Sequence, residues 1–91
     1  MADGSHLAGL QRRTFLIEAR SQADILLRVL GPFAVQGAQI TLMEAAQDSA
    51  RTSIRIEAAG IGTELAEHLV ERLRAMPAVL GVGLGWRAMA G

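Results

Sequence analysis

The 91-residue chain carries nine basic and nine acidic side chains, so its formal net charge is zero. It contains no cysteine, which excludes disulfide bonds, thiolate metal sites and cysteine nucleophiles and fits a reducing cytosol. Scattered basic residues argue against a nucleic-acid interface, and the apolar runs are far shorter than a membrane span. We therefore expect one small cytoplasmic domain that buries further surface by self-association or by docking on a partner.

The first predicted elements are a strand over residues 13–20 and a helix that follows it. Apolar and polar side chains alternate in the strand, which is the period of a half-buried strand. Ser21 stands at the position of an N-cap, with Asp24 three residues later. We expect the helix to kink or break at Pro32 and to end at Gly37. Its apolar stripe consists of Leu26, Val29, Leu30 and Phe33.

Two further strands and a second helix are predicted in the middle of the chain. Residues 40–46 form a strand with a blurred pattern, because apolar side chains fall on both of its faces, whereas residues 51–58 alternate cleanly. The polar residues 47–50 join the two strands as a turn. Thr63 is the predicted N-cap of the second helix, and Pro77 stops that helix. The apolar face of the helix carries Leu65, Leu69, Leu73 and Met76.

The last predicted element is a strand that reads LGVGLGWR over residues 80–87. A phosphate-binding glycine loop would carry a Lys-Ser or Lys-Thr pair and lead into a helix, whereas strict alternation is the period of a strand. One face of this strand is apolar and consists of Leu80, Val82, Leu84 and Trp86. The other face is bare and consists of Gly81, Gly83 and Gly85. The bare face indicates either a groove in which a partner docks or a frayed terminal strand.

The order β-α-β-β-α-β predicts the α+β class and a ferredoxin-like sandwich. Both helices should cover one face of a four-stranded antiparallel sheet of order β2-β3-β1-β4, with the second and fourth strands at the edges. We expect the domain to span residues 13–87. A flexible N-terminal lead-in over residues 1–12 and a C-terminal tail over residues 88–91 should flank it.

The residues predict neither a catalytic centre nor a metal or cofactor site. RNA binding on this fold needs exposed aromatic side chains, but the three aromatic residues all fall on predicted core faces. His68 follows Glu64 by one helical turn and is interpreted as an exposed neighbour rather than a ligand. The tripeptide VQG at residues 35–37 echoes part of the acylphosphatase loop, but it ends a helix instead of following the first strand. A small acyl-phosphate hydrolase is therefore the enzyme alternative to a binding or regulatory role.

Three motifs, in order along the chain, resemble those of ACT domains. Residues 21–29, SQADILLRV, resemble the signature Asp/Asn-Arg-Pro-Gly-Val-Leu-x-Arg-Val at the first helix. Phe33 followed by GAQI at residues 37–40 resembles Phe-x-x-x-Gly-x-Asn-Ile. Residues 69–82, LVERLRAMPAVLGV, are similar to the passage from the second helix to the fourth strand in small subunits of acetolactate synthase. The short, single-domain small subunits of that enzyme are the nearest match.

The resemblance implies a non-catalytic homodimer that activates a thiamine-diphosphate-dependent large subunit in branched-chain amino acid biosynthesis. In effector-sensitive relatives an amino acid binds at the dimer interface, and the corresponding positions here are Ser21, Gln22, Asp24 and Gln39. Asp24 replaces the signature glycine and Gln39 replaces the asparagine, so a carboxylate effector should meet a negative charge and a less fixed amide. The bland interpretation is that Ser21 and Asp24 simply cap the first helix. The functional alternative is a free-standing amino-acid sensor of the same fold without an enzyme partner.

Overall fold

The computed structural model describes residues 11–88, with only the backbone described at residues 11 and 86–88. Most of the predicted tail and most of the predicted lead-in therefore lie outside the described residues. No helix in the described range is long and apolar enough to cross a membrane. The elements, in chain order, are β1 (Gln11–Arg20), α1 (Ile25–Val35), β2 (Gln39–Gln47), β3 (Arg51–Ala59), α2 (Thr63–Arg74) and β4 (Val79–Ala88).

The sheet confirms the predicted topology. Its four strands are antiparallel and follow the order β2-β3-β1-β4, so β2 and β4 are the edges. β1 lies at the centre, where Phe15 pairs with Ile56 of β3 on one side and with Leu84 of β4 on the other. Both faces of the sheet are thus defined by the alternation in β1 and β3, which the sequence pattern predicts.

The core lies between the sheet and the two helices. The central strands contribute buried apolar side chains from one face, and α1 contributes Ile25, Val29 and Phe33. The rings of Phe15 and Phe33 meet edge to face, with centroids 4.9 Å apart and an interplanar angle of 89°. The second helix adds Ala66, Leu69, Val70 and Leu73. The apolar faces of the two helices thus pack against the apolar face of the sheet and form one small core.

An irregularity in β2 explains its blurred sequence pattern. Ile40 pairs with Ala58, but the next paired residue is Leu42, which faces Glu57, so Thr41 is an inserted residue. An inserted residue reverses the facing of everything that follows it in the strand. Ile40 and Met43 therefore both pack against the core, although three positions separate them.

A second irregularity, in β4, corrects the predicted apolar face of that strand. Val79 pairs with Ala19 and Gly81 pairs with Glu18, which leaves Leu80 as the inserted residue. Leu80 is 45% exposed instead of buried, and Leu84, on the edge strand, is 40% exposed. Val82 packs against the core as predicted. The side chain of Trp86 lies outside the described part of the chain.

The start and middle of α1 differ from the prediction. The helix begins at Ile25, and Asp24 occupies the N-cap position without a side-chain capping hydrogen bond. Ser21 is therefore not the cap. The helix continues to Val35 through Pro32, so the predicted break does not occur.

The predicted end of α1 at Gly37 is confirmed, whereas the predicted N-cap of α2 at Thr63 is wrong. Gly37 has φ +69°, and its N–H bonds to the Ala34 carbonyl oxygen at 3.1 Å. The next N–H bonds back to the carbonyl oxygen of Phe33 at 3.0 Å, which completes a Schellman motif and confirms the predicted helix end. At α2 the N-cap residue is Gly62 rather than Thr63. The hydroxyl group of Thr63 instead accepts a hydrogen bond from Arg13 Nη2 at 3.1 Å.

Candidate functional site

Ser21 binds the turn after β1 to the β2–β3 hairpin. Its hydroxyl group donates to the carbonyl oxygen of Asp48 at 2.8 Å and lies 3.0 Å from the hydroxyl oxygen of Thr52. Its backbone N–H bonds to the carbonyl oxygen of Ala50 at 3.1 Å. Because a hydroxyl group has one hydrogen and a carbonyl oxygen only accepts, Thr52 is the donor in the second contact. The side chain of Ser21 is thus engaged within the fold.

Asp24, at the N-cap position of α1, forms an ion pair with a residue of the helix instead of a side-chain capping hydrogen bond. Its Oδ2 accepts a hydrogen bond from Nε of Arg28 at 2.8 Å, and both side chains are about half exposed. This hydrogen bond lowers the pKa of Asp24 from its ordinary value of 3.8. The carboxylate is therefore ionised at neutral pH beside the N-terminus of α1, where it opposes the approach of another anion.

Gln39 lies at the opposite end of the sheet from the other candidate effector residues. It pairs with Ala59, which in turn pairs with Arg12 at the start of β1. Ser21 follows Arg20, at the far end of the same strand. At about 3.3 Å per residue, Arg12 and Arg20 are roughly 26 Å apart along this strand. The structure therefore brings Ser21, Gln22 and Asp24 together and leaves Gln39 apart.

The row of Gly81, Gly83 and Gly85 lies on the sheet face away from the helices, which we call the open face. Gly83 pairs with Leu16, whose side chain is 55% exposed on this face. A Cβ atom added at Gly83 would lie 3.9 Å from Cβ of Leu16, an ordinary contact, and one added at either other glycine would meet nothing within 4 Å. The row is thus a strip of accessible backbone beside an exposed leucine.

The rest of the open face carries paired charges that sequence reasoning missed. Glu57 is only 2% exposed and lies 3.8 Å from Arg12 and 3.7 Å from Arg55. Arg55 also lies 3.5 Å from Glu44 of β2. A groove of about 430 Å³ lies on this face, and its lining includes Leu16, Glu44 and Arg55. The sequence could have indicated this charge pair, because Arg55 and Glu57 are two positions apart in β3 and therefore share one face of the strand.

An exposed apolar surface on α1 was also missed. Arg28 is the one charged or polar side chain among the eleven residues of the helix. Residues at positions 28, 32 and 35 face a groove shared with α2. The helical period therefore directs the opposite side away from α2. We call this side the α1 outer face, and it consists of Leu26, Leu27, Leu30 and Ala34, of which Leu27 is 74% exposed.

The described residues hold no cluster of three or more histidine, cysteine, aspartate or glutamate side chains that could hold a metal ion. No protein-family model matches the sequence. A search of curated proteins likewise finds no match.

Solved structures do share the fold. The ACT domain from GTP pyrophosphokinase of Chlorobium tepidum superposes with a TM-score of 0.73 at 12% identity, over 81% of this chain and 96% of that chain. The C-terminal domain of the MgtC protein from Mycobacterium tuberculosis gives a TM-score of 0.66 at 20% identity, over 91% and 94% of the two chains.

The regulatory subunit of aspartate kinase from Thermus thermophilus gives a TM-score of 0.65 at 16% identity. The superposition covers 87% of this chain and 51% of the kinase subunit. At these identities the likeness establishes architecture, and it agrees with the strand order and helix placement described above. The chain therefore has the ferredoxin-like fold of ACT domains.

Proposed function

We propose that the chain is a non-catalytic regulatory subunit that forms a homodimer. As a dimer, it binds and activates a thiamine-diphosphate-dependent large subunit of the acetolactate synthase type. Support comes from the fold shared with the ACT domain of a GTP pyrophosphokinase and with the regulatory subunit of an aspartate kinase. The motifs at residues 21–29 and 37–40 resemble those of ACT domains, and the similarity of residues 69–82 to acetolactate synthase small subunits favours that enzyme as the partner. The diphosphate cofactor belongs to that partner in this proposal.

The apolar character of α1 is the observation that carries self-association. A helix that is apolar all round is normally buried on all sides. Here Leu27 is 74% exposed, and the half-buried Leu26 and Leu30 flank it on the α1 outer face. This surface lies on the side of α1 away from α2. A right-handed crossover from β1 to β2 places α1 over the β2 half of the sheet, so we infer that the surface adjoins the unpaired edge strand β2. A second copy that covers the α1 outer face and the β2 edge would bury apolar side chains and also pair the open edge of the sheet.

The same arrangement would complete the divided effector site. Two β2 strands paired antiparallel about a two-fold axis place the start of one strand beside the end of the other. The end of β2 leads into the hairpin to which Ser21 is bonded. Gln39 of a second copy would therefore approach the Ser21 turn of the first. We propose that this junction is the effector position, weakened by the carboxylate of Asp24.

We propose the open face beside β4 as the docking surface for the large subunit. Gly81, Gly83 and Gly85 expose backbone on that face, and Leu16 supplies an exposed apolar side chain beside them. Backbone without side chains permits the close approach of another chain. This surface lies at the opposite edge of the sheet from β2, so dimerisation and docking need not compete.

Reconstitution tests the proposal. The purified chain is added to an acetolactate synthase large subunit from the same genome, and acetolactate formation is measured with and without it. We expect the rate to rise and saturate at one chain per large subunit. A dimeric chain that leaves the rate unchanged but binds an amino acid would instead establish the free-standing sensor. A chain that hydrolyses an acyl phosphate would overturn both interpretations.

A further inference from the structure

The side of α1 opposite the outer face shares a groove with α2 that the proposed function does not use. The groove has a volume of about 410 Å³, within the range of small-molecule sites. Gly31 opens a notch in α1, because a Cβ atom there would meet nothing within 4 Å. The apolar part of the lining consists of Pro32, Val35, Met76, Pro77 and Ala78. The groove is thus apolar along its floor and accessible from solvent.

Two guanidinium groups, one from each helix, give the groove its charge. Arg28 and Arg72 are both among its lining residues. Nε of Arg28 donates a hydrogen bond to the Asp24 carboxylate at 2.8 Å. This bond orients the guanidinium group, and its two terminal nitrogens remain available as donors. Within the described part of the chain, no ion pair joins Arg72 to a carboxylate. The groove therefore holds more positive charge than its own residues neutralise.

We propose that this groove binds a small monocarboxylate with a hydrocarbon body and no amino group. The carboxylate would accept hydrogen bonds from the guanidinium group of Arg72, which matches its planar geometry, while the Arg28–Asp24 ion pair lies beside it. The hydrocarbon body would cover the apolar side chains at the α2 end of the groove. An ammonium group on the ligand would be repelled by Arg72, since the charge of Arg28 is offset by Asp24. The site is separate from the Ser21 turn and does not depend on an enzyme partner.

The test uses the full chain and the probe 4-methylpentanoate, followed by ¹H–¹⁵N NMR titration. We expect saturable shifts at Gly31, Val35, Arg72 and Met76. Four control ligands are titrated in the same way. Acetate lacks the hydrocarbon body and 4-methylpentan-1-ol lacks the charge. Leucine adds an ammonium group, and inorganic phosphate is an anion without a hydrocarbon body. Each of these should bind at least about tenfold more weakly, since each lacks one part of the match or adds a repelled charge.

Three variants locate the site. Arg72→Gln should weaken binding of 4-methylpentanoate at least about tenfold. Gly31→Leu should fill the notch and block binding. Because a side chain before Pro32 is disfavoured in the helical region, its circular dichroism spectrum is compared with that of the parent chain. Arg74→Gln removes the same charge from the same helix outside the groove lining and should bind like the parent chain. Equal binding by parent, Arg72→Gln and Gly31→Leu, shifts confined to the Ser21 turn, or equal binding of phosphate would each overturn the proposal.

Discussion

The hydroxyl groups of Ser21 and Thr52 lie 3.0 Å apart and join the turn after β1 to the third strand. Thr52 is fully buried, whereas Ser21 retains partial access to solvent. The pair therefore satisfies a polar group that water does not reach. A buried hydroxyl group without a partner costs more than the hydrogen bond itself contributes, so the two residues should be energetically coupled.

The first prediction is a non-additive double-mutant cycle. Ser21→Ala should lower the free energy of unfolding by about 1–3 kcal/mol, because the Thr52 hydroxyl group is left buried and unpaired. Adding Thr52→Val should recover part of that loss, since the unpaired group is then removed. Urea unfolding of the parent, both single variants and the double variant measures the coupling.

Ser53→Ala is the control for this cycle. The Ser53 hydroxyl group donates to Glu18 at 2.6 Å, but both side chains are exposed. Its loss should change the free energy of unfolding by less than about 0.5 kcal/mol. If the double variant loses as much free energy of unfolding as the two single variants together, the two hydroxyl groups are not coupled.

The second prediction concerns the acid side of the titration curve. The N–H groups of Ala50 and Arg51 both donate hydrogen bonds to Oδ1 of Asp48 at 2.8 Å. These bonds lower the pKa of Asp48, and the bond from Arg51 has the larger effect. A lowered pKa in the folded state stabilises the fold above the unfolded-state value, and this contribution is lost as the pH falls through the folded-state value. The NMR titration midpoint of the Asp48 carboxylate should lie below 3.8, its ordinary value.

The Asp24 carboxylate provides a matched comparison. Its pKa is lowered chiefly by the hydrogen bond from Arg28, so Arg28→Gln should raise the Asp24 midpoint towards 3.8. The Asp48 midpoint should stay where it is, because its partners are backbone amides. A parallel shift of both carboxylates would show that net charge, rather than these hydrogen bonds, sets the two values.

The topology followed from local patterns that tertiary contacts reinforce. Alternation in β1 and β3 and the glycine at position 37 predict the structure that is found. Of the predicted stripe in α1, Val29 and Phe33 are buried, whereas Leu26 and Leu30 are half-buried. The blurred pattern of residues 40–46 reflects the irregularity in β2, but the sequence does not show which residue is inserted, either at Thr41 or at Leu80. The pairing register alone shows it.

The candidate site was harder to predict because it depends on contacts between distant residues. Ser21 and Thr63 are good capping residues by type, yet Ser21 bonds to the β2–β3 hairpin and Thr63 to Arg13. Local capping preference gave way to long-range hydrogen bonds in both places. The separation of Gln39 from Ser21 likewise follows from strand order and not from sequence spacing.

The third prediction is that the α1 outer face holds the dimer together. Leu27→Glu places a charge in the proposed interface and should yield a monomer at micromolar concentration in sedimentation velocity experiments. Val35→Glu is the matched control, since Val35 is 75% exposed on the same helix but faces the groove with α2. A parent chain that sediments only as a monomer would contradict the proposed homodimer.

The fourth prediction is weak or absent effector binding. Valine, leucine and isoleucine should give little heat in titration calorimetry, because the ionised Asp24 carboxylate repels the carboxylate of each amino acid. Replacing Asp24 by glycine and Gln39 by asparagine restores the signature residues and should increase the heat. Micromolar binding to the parent chain would contradict this prediction and favour the sensor alternative.

The last prediction separates docking from folding at the glycine row. Gly83→Val adds a side chain whose Cβ atom has only ordinary contacts, 3.9 Å and 4.0 Å from atoms of Leu16. Valine also has a higher strand propensity than glycine, so the free energy of unfolding should change by no more than about 0.5 kcal/mol. A partner backbone docked on the row would be displaced, and activation of the large subunit should be lost.

The measurement pairs thermal melts with the activation assay for the parent chain and for Gly83→Val. Gln36→Val is a useful control, because it adds a valine at an exposed position at the end of α1, in the layer of helices on the other face of the sheet. Lost activation in Gly83→Val alone, with an unchanged melt, places the large subunit on the open face. Full activation by an equally stable Gly83→Val chain would rule that surface out, because a branched side chain at the centre of the row leaves no room for a docked backbone.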